Sequence, residues 1–141
     1  MPEGRALAFG TGEGPALLLE EPLSFWGGMD PATGEVIDAH HPARGTSLSG
    51  RVVVMPSGRG SSSAPSVLAE AIRLGTAPAA IVLSEPDAIV ALGAIVAAEL
   101  YGRACPVVVL DEEEHRGIRD GALIRVSATE DRALVEVDGG P

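Results

Sequence analysis

Lysine is absent from this 141-residue chain, and every one of its 10 basic residues is arginine. A Schiff-base enzyme is thereby excluded, as is any mechanism that needs the lysine of a phosphate-binding P-loop. Cysteine is almost as scarce, with Cys105 the only one. This chain alone can therefore hold no internal disulfide, no thiolate cage for zinc and no cysteine-ligated iron–sulfur cluster, and a reducing, cytoplasmic location is the simplest expectation. Positive charge is short: 20 Asp and Glu against 10 Arg give a formal net charge of -10. The electrostatic footprint of a phosphate-backbone reader is missing, so nucleic acid is not expected as a partner. No stretch approaches the length of a membrane span, and Met1 to Gly14 lacks the charged start and apolar core of a signal peptide. A soluble protein without membrane association is expected.

What is present fits one compact domain over residues 1–141, with 45% hydrophobic residues to build its core. Short runs rich in Val, Ile and Leu stand between Gly and Pro punctuation at Pro15–Leu19, Glu35–Ile37, Arg51–Met55, Ala79–Leu83, Pro106–Leu110, Ala122–Val126 and Ala133–Val137, and these predict strands. Helical spacing appears over Pro65–Leu74 and Asp87–Tyr101, each with a Pro near its start and a Gly just past its end, Gly75 and Gly102. From Arg51 onward the order strand, helix, strand, helix, strand predicts a parallel sheet with right-handed crossovers, flanked by antiparallel strands at both ends. The expected class is α/β, a mixed, β-rich body carrying helices.

The stretch with the most chemistry is Val52-Val53-Val54-Met55-Pro56-Ser57-Gly58-Arg59-Gly60-Ser61-Ser62-Ser63, a buried strand running into a Gly-rich turn that opens the first helix. Glycines let backbone approach a ligand closely, and the free N–H groups of a helix's first turn carry a partial charge of about +0.5, so the turn suits a carboxylate or oxyanion. Serine is also a favoured N-cap, and one of the three serines can serve as that alone. The functional reading places one hydroxyl in the positive field of the helix end and of Arg59, where its alkoxide is stabilised enough to act as a base.

Gly58-Arg59-Gly60-Ser61-Ser62 resembles the Gly-x-Gly-Ser-Ser turn in the swivelling domain of aconitase and its relatives. The similarity to the small domain of the aconitase X family extends to Glu21-Pro22-Leu23-Ser24-Phe25-Trp26-Gly27-Gly28, Asp30-Pro31-x-Thr33-Gly34, His41-Pro42 and Gly75-Thr76-Ala77-Pro78, spanning roughly Gly14 to Leu110. This resemblance implies a swivelling β/β/α domain, the small subunit of a dehydratase whose large subunit carries an iron–sulfur cluster on its own cysteines. It further implies that Ser61 is the proton acceptor and that Ser62 binds substrate or orients the base. Ser63 and Ala64 depart from the aconitase pattern of Arg and Glu, so the carboxylate contact of that Arg falls to Arg59 or to a partner residue. Arg59, Gly60, Ser62, Ser63 and His41 are the expected substrate-binding residues, and the substrate is a small hydroxy-carboxylate. Within the family, one branch dehydrates cis-3-hydroxy-L-proline and another 5-phosphomevalonate. Phe25-Trp26 and the His-His-Pro run look closer to the former, and few basic residues, Arg59 and Arg51, are at hand to bind a phosphate.

Other candidates carry bland readings beside sharp ones. The loop from Ser24 to Gly34 reads either as a pair of tight turns or as a flap over a ligand, with Trp26 in the core, at a subunit interface or on an active-site rim. His40 and His41 with Asp38 lack the spacing of a metal site. Cys105, just ahead of an apolar run, reads as a small buried residue. The acidic run Asp111–Glu114 reads as a solvated loop or helix start. Gly60-Ser61-Ser62-Ser63-Ala64 loosely mimics the nucleophile turn of a serine hydrolase, with Asp111 and His115 following in chain order, although its fifth position is Ala. A non-catalytic anion-binding module is the remaining class.

Overall fold

The computed structural model describes residues 3–58 and 64–138. The chain runs β1 (Glu3–Ala8), β2 (Gly10–Leu18), the single turn α1 (Phe25–Gly28), β3 (Val52–Met55), α2 (Ala64–Leu74), β4 (Ala80–Leu83), α3 (Ala88–Tyr101), β5 (Val107–Val109), the short α4 (Glu112–Arg116), β6 (Leu123–Ala128) and β7 (Ala133–Asp138). The strands close into a barrel in the order β1-β5-β4-β3-β2-β6-β7. As expected, β3, β4 and β5 are parallel, linked by α2 and α3.

Closure depends on two strands that each serve both halves of the barrel. β2 pairs antiparallel with β6 over Gly10 to Pro15, then parallel with β3 over Ala16 to Leu18. β1 pairs with β7 at Glu3 and Gly4, then with β5 from Arg5 to Ala8, both antiparallel. The expectation of wholly antiparallel flanking strands is thus corrected at β2, whose C-terminal half extends the parallel sheet.

Side chains alternate along the parallel strands to feed two cores. Val52, Val54, Ala80, Val82 and Val108 point into the barrel, where they meet Ile124, Val126 and Val135. Val53, Met55, Ile81, Leu83 and Val107 face the other way, onto Leu68 and Ile72 of α2 and Val90, Ala94 and Ala97 of α3. Strands covered on both faces read as unbroken apolar runs, which is why β3 and β4 are plain in the sequence. α2 and α3 cross closely at Gly93, where a Cβ would stand 2.9 Å from the Pro65 carbonyl oxygen and 3.1 Å from the Leu68 Cβ. Both helices stop where expected, at Gly75 (φ 81) and Gly102 (φ 65), left-handed positions that favour glycine.

The strand expected at Glu35–Ile37 forms only isolated bridges, Met29 with Val36 and Glu35 with Ser47. The segment is held between the Asp30–Gly34 turn and the Asp38–His40 turn and meets its partners at single positions only. β1 and the glycine-rich first half of β2 lie beyond the sequence-based expectation, whereas α4 realises the helix-start reading of Asp111–Glu114.

Candidate functional site

The parallel strands β2 to β5 end on one side of the barrel, the position at which open α/β sheets gather their ligands. There β3 runs through Pro56 and Ser57 to Gly58, and residues 59–63 connect Gly58 to the start of α2. Three other segments hold this stem. His115, on α4, donates through Nε2 to the Met55 carbonyl at 2.9 Å and stands 3.3 Å from that of Val82. The Pro56 carbonyl accepts from the amides of Ser84 at 3.1 Å and Glu85 at 3.0 Å. Gly58 donates its amide to Asp87 Oδ2 at 2.9 Å and forms a parallel bridge with Leu23. Ser24, the next residue, has a buried hydroxyl that meets no hydrogen-bond partner among the described residues.

A cleft of about 350 Å³ opens at the end of β2, lined by Leu18, Leu19, Glu20, His41, Pro42, Ala43 and Asp120. His41 is 5% exposed. Its Nδ1 accepts from the Ala43 amide at 3.0 Å, which leaves the proton on Nε2, donated to the Glu21 carbonyl at 3.1 Å. The ring is a clamp between two loops, and both nitrogens are committed to backbone. Asp120 Oδ1 accepts from the Leu18 amide at 2.9 Å, fixing the other wall.

Across residues 2–137 the sequence matches the aconitase X swivel domain. The chain belongs to that family. It is 55% identical over 108 residues to the cis-3-hydroxy-L-proline dehydratase of Pseudomonas aeruginosa, a match covering 77% of this chain and 19% of that protein. It is 39% identical over 127 residues to the phosphomevalonate dehydratase small subunit of Methanothermobacter thermautotrophicus, covering 89% of this chain and 92% of that one. The chain spans 18 to 19% of the length of the cis-3-hydroxy-L-proline dehydratases it matches. Aconitase X of Thermococcus kodakaraensis, solved in its holo form, superposes with a TM-score of 0.81 at 34% identity, over 96% of this chain and 97% of that one.

On this aconitase X swivel domain, Ser61, Arg59, Gly60, Ser62 and Ser63 fall outside the described residues. The flanks of their turn are well placed, Gly58 by the bonds above and Ala64 by burial in the helix layer. Arg51 precedes β3 at its far end, roughly 13 Å from Met55 at the strand rise per residue, so the expectation that it serves the serine turn is corrected. The Asp–His half of a hydrolase triad is not assembled. Asp111 Oδ1 caps α4 through the Glu114 amide at 2.8 Å, while the His115 Nε2 proton is held by backbone carbonyls. Asp38 Oδ1 accepts from the His40 amide at 2.9 Å, an Asx turn. The Asp30 to Gly34 turn forms as expected, with the Asp30 carbonyl accepting from Gly34 at 2.7 Å. Trp26 is 57% exposed, which removes it from the core and leaves the rim or interface readings.

Cys105 is buried, and burial pushes its thiol up to about 12. A single cysteine cannot supply the ligand set of an iron–sulfur cluster, and among the described residues no group of three or more His, Cys, Asp or Glu side chains is placed to hold a metal ion. Sequence reasoning missed Asp87 and Ser24 as parts of the site, and it offered His115 only as a triad member, not as a clamp on the stem. Asp87 carried the signal of a helix N-cap, but its bond to Gly58, 29 residues away, left no local trace.

Proposed function

We propose that this swivel domain is the serine-bearing part, the small subunit, of an iron–sulfur-dependent hydro-lyase that dehydrates cis-3-hydroxy-L-proline against a larger, cluster-bearing subunit in the cytoplasm. The observation that carries the reading is the junction of β3 with α2. A fully buried strand delivers Gly58, the residue from which the serine turn departs, to the ligand side of the sheet, and hydrogen bonds from three segments pin this stem. The 55% identity to a cis-3-hydroxy-L-proline dehydratase supports the substrate.

Ser61 takes the proton from the carbon next to the substrate carboxylate. The electron pair of that C–H bond becomes the new C=C bond as the neighbouring C–O bond breaks, leaving an enamine acid. The base strength required comes from the start of α2, an eleven-residue helix with no acidic side chain in its first turn to cancel its positive end. Arg59, the Gly60 amide, Ser62 and Ser63 bind and orient the substrate, and His41 holds the loops that wall the adjoining cleft. An iron–sulfur cluster ligated by the large subunit supplies, when bound, a Lewis acid for the departing hydroxyl.

A second substrate has its own support, because the phosphomevalonate dehydratase small subunit matches over 92% of its length. Co-expression with the large subunit, followed by assay of both compounds, separates the two. Ser61→Ala in the assembled complex is expected to lower kcat about 10²- to 10⁴-fold, the usual worth of a positioned base. An assembled variant with full activity overturns the serine assignment. Ligand uptake by the complex without any product indicates instead an anion-binding module.

A further inference from the structure

The two oxygens of the Asp87 carboxylate do different work. Oδ1 accepts from the amides of Ile89 at 3.0 Å and Val90 at 3.2 Å, closing the first turn of α3. Oδ2 accepts from the amide of Gly58 at 2.9 Å. The helix needs only the first oxygen, since a single side-chain oxygen is what an N-cap provides. Gly58 needs the second, because it lies past the end of β3 and its parallel bridge to Leu23 is isolated. The fit is also steric. A Cβ on Gly58 would come within 2.7 Å of the Val90 Cγ2 and 2.9 Å of Asp87 Oδ2, so only glycine lets the chain lie against the start of α3.

We infer that Asp87 is a positioning residue, a carboxylate that docks Gly58, the residue from which the serine turn departs, onto the start of α3. The role in catalysis rests on the reading of Ser61 as the base, whereas the docking itself does not. Serine or asparagine in place of Asp87 preserves a capping oxygen but cannot serve both sides. Serine is too short to reach Gly58, and asparagine turns either a donor toward Gly58 or a donor toward the helix.

The test uses Asp87→Ser and Asp87→Asn in the full chain and in the complex with its large subunit. In the full chain, amide hydrogen exchange followed by NMR is expected to show Gly58 losing at least about tenfold in protection in D87S, the loss of one hydrogen bond to a charged acceptor. Ile89 and Val90 stay protected. In the complex, kcat is expected to fall about 10- to 100-fold with KM nearly unchanged, as for a reacting group displaced by a fraction of an ångström to an ångström. D87N reports the same docking from the other direction, with Gly58 or the α3 amides losing protection according to how its amide turns. Gly58 exchange that stays at the native level in D87S overturns the docking. Loss of Gly58 protection with native kcat, in a preparation where Ser61→Ala is inactive, overturns the positioning role. If Ser61→Ala is itself fully active, the Ser61 reading fails while the exchange result still decides the docking.

Discussion

Three side chains whose types suggested chemistry turn out to act through burial or backbone contacts. Cys105 is 2% exposed, and the loss of water around it holds the thiol well above its ordinary value near 9.0, at about 12. It is expected to be inert to an aromatic disulfide reagent at pH 8 and to react fully once the chain is unfolded. Ready modification of the native chain would contradict its placement. The linkage has a definite sign: the unfolded thiol ionises near 9.0 and the folded one near 12, so the unfolded state gives up its proton first. Stability therefore declines as pH rises from 9 towards 12, and Cys105→Ala should flatten that part of the curve in urea titrations at stepped pH. His41 was legible as a member of a motif, yet its committed nitrogens make it a loop clamp. His115 suggested a triad, and its actual partners, the carbonyls of Met55 and Val82, lie 60 and 33 residues away. Residue type narrows what a side chain can do, but only its neighbours decide which of those things it does.

Among the elements, legibility followed the apolar pattern. α3, apolar on every side, and α2 were found with their glycine stops, because local spacing and capping set both. β2 was seen only at its apolar end. Its first half, Gly-Thr-Gly-Glu-Gly, carries no hydrophobic alternation because the barrel there has no room for side chains. A Cβ on Gly12 would strike the Ala79 carbonyl, and one on Gly14 the Gly50 carbonyl. The glycines let β2 pass beneath the residues that lead into β4 and β3. Gly12→Ala is accordingly expected to destabilise the chain by about 1–3 kcal/mol or more, the range for forcing atoms into filled space. Chemical denaturation measures this directly, and a neutral substitution would place β2 elsewhere. The expected strand at Glu35–Ile37 failed for the opposite reason, since its residues have strand character but the turns on either side leave little edge to pair.

Across the whole molecule, one sheet is the shared wall of two cores. Val52 and Val54 belong to the barrel interior while Val53 and Met55 belong to the helix layer, so neither core can melt without exposing the other's wall. Leu68→Ala in the helix layer and Ile124→Ala in the barrel are each expected to cost about 2–5 kcal/mol. Both should leave a single transition by near-UV and far-UV circular dichroism. Two separated transitions would mean that barrel and helix layer unfold as independent units. On the same sheet, the stem that ends at Gly58 is bonded to β4's exit, to the start of α3 and to α4 at once.

By itself, the sequence determined the exclusions that come from lacking lysine and all but one cysteine, the buried strand leading into a serine-rich turn, the two crossover helices and, through spaced motifs, the aconitase X family. These properties reside in composition or in residues close together along the chain. Only the tertiary structure decided that β1 and β2 close the barrel by changing partners midway, that Asp87 and His115 hold the stem of the turn, and that Arg51 stands at the wrong end of its strand. Each depends on hydrogen bonds or distances between residues far apart in sequence, and such pairings impose no period on the chain from which they could be read.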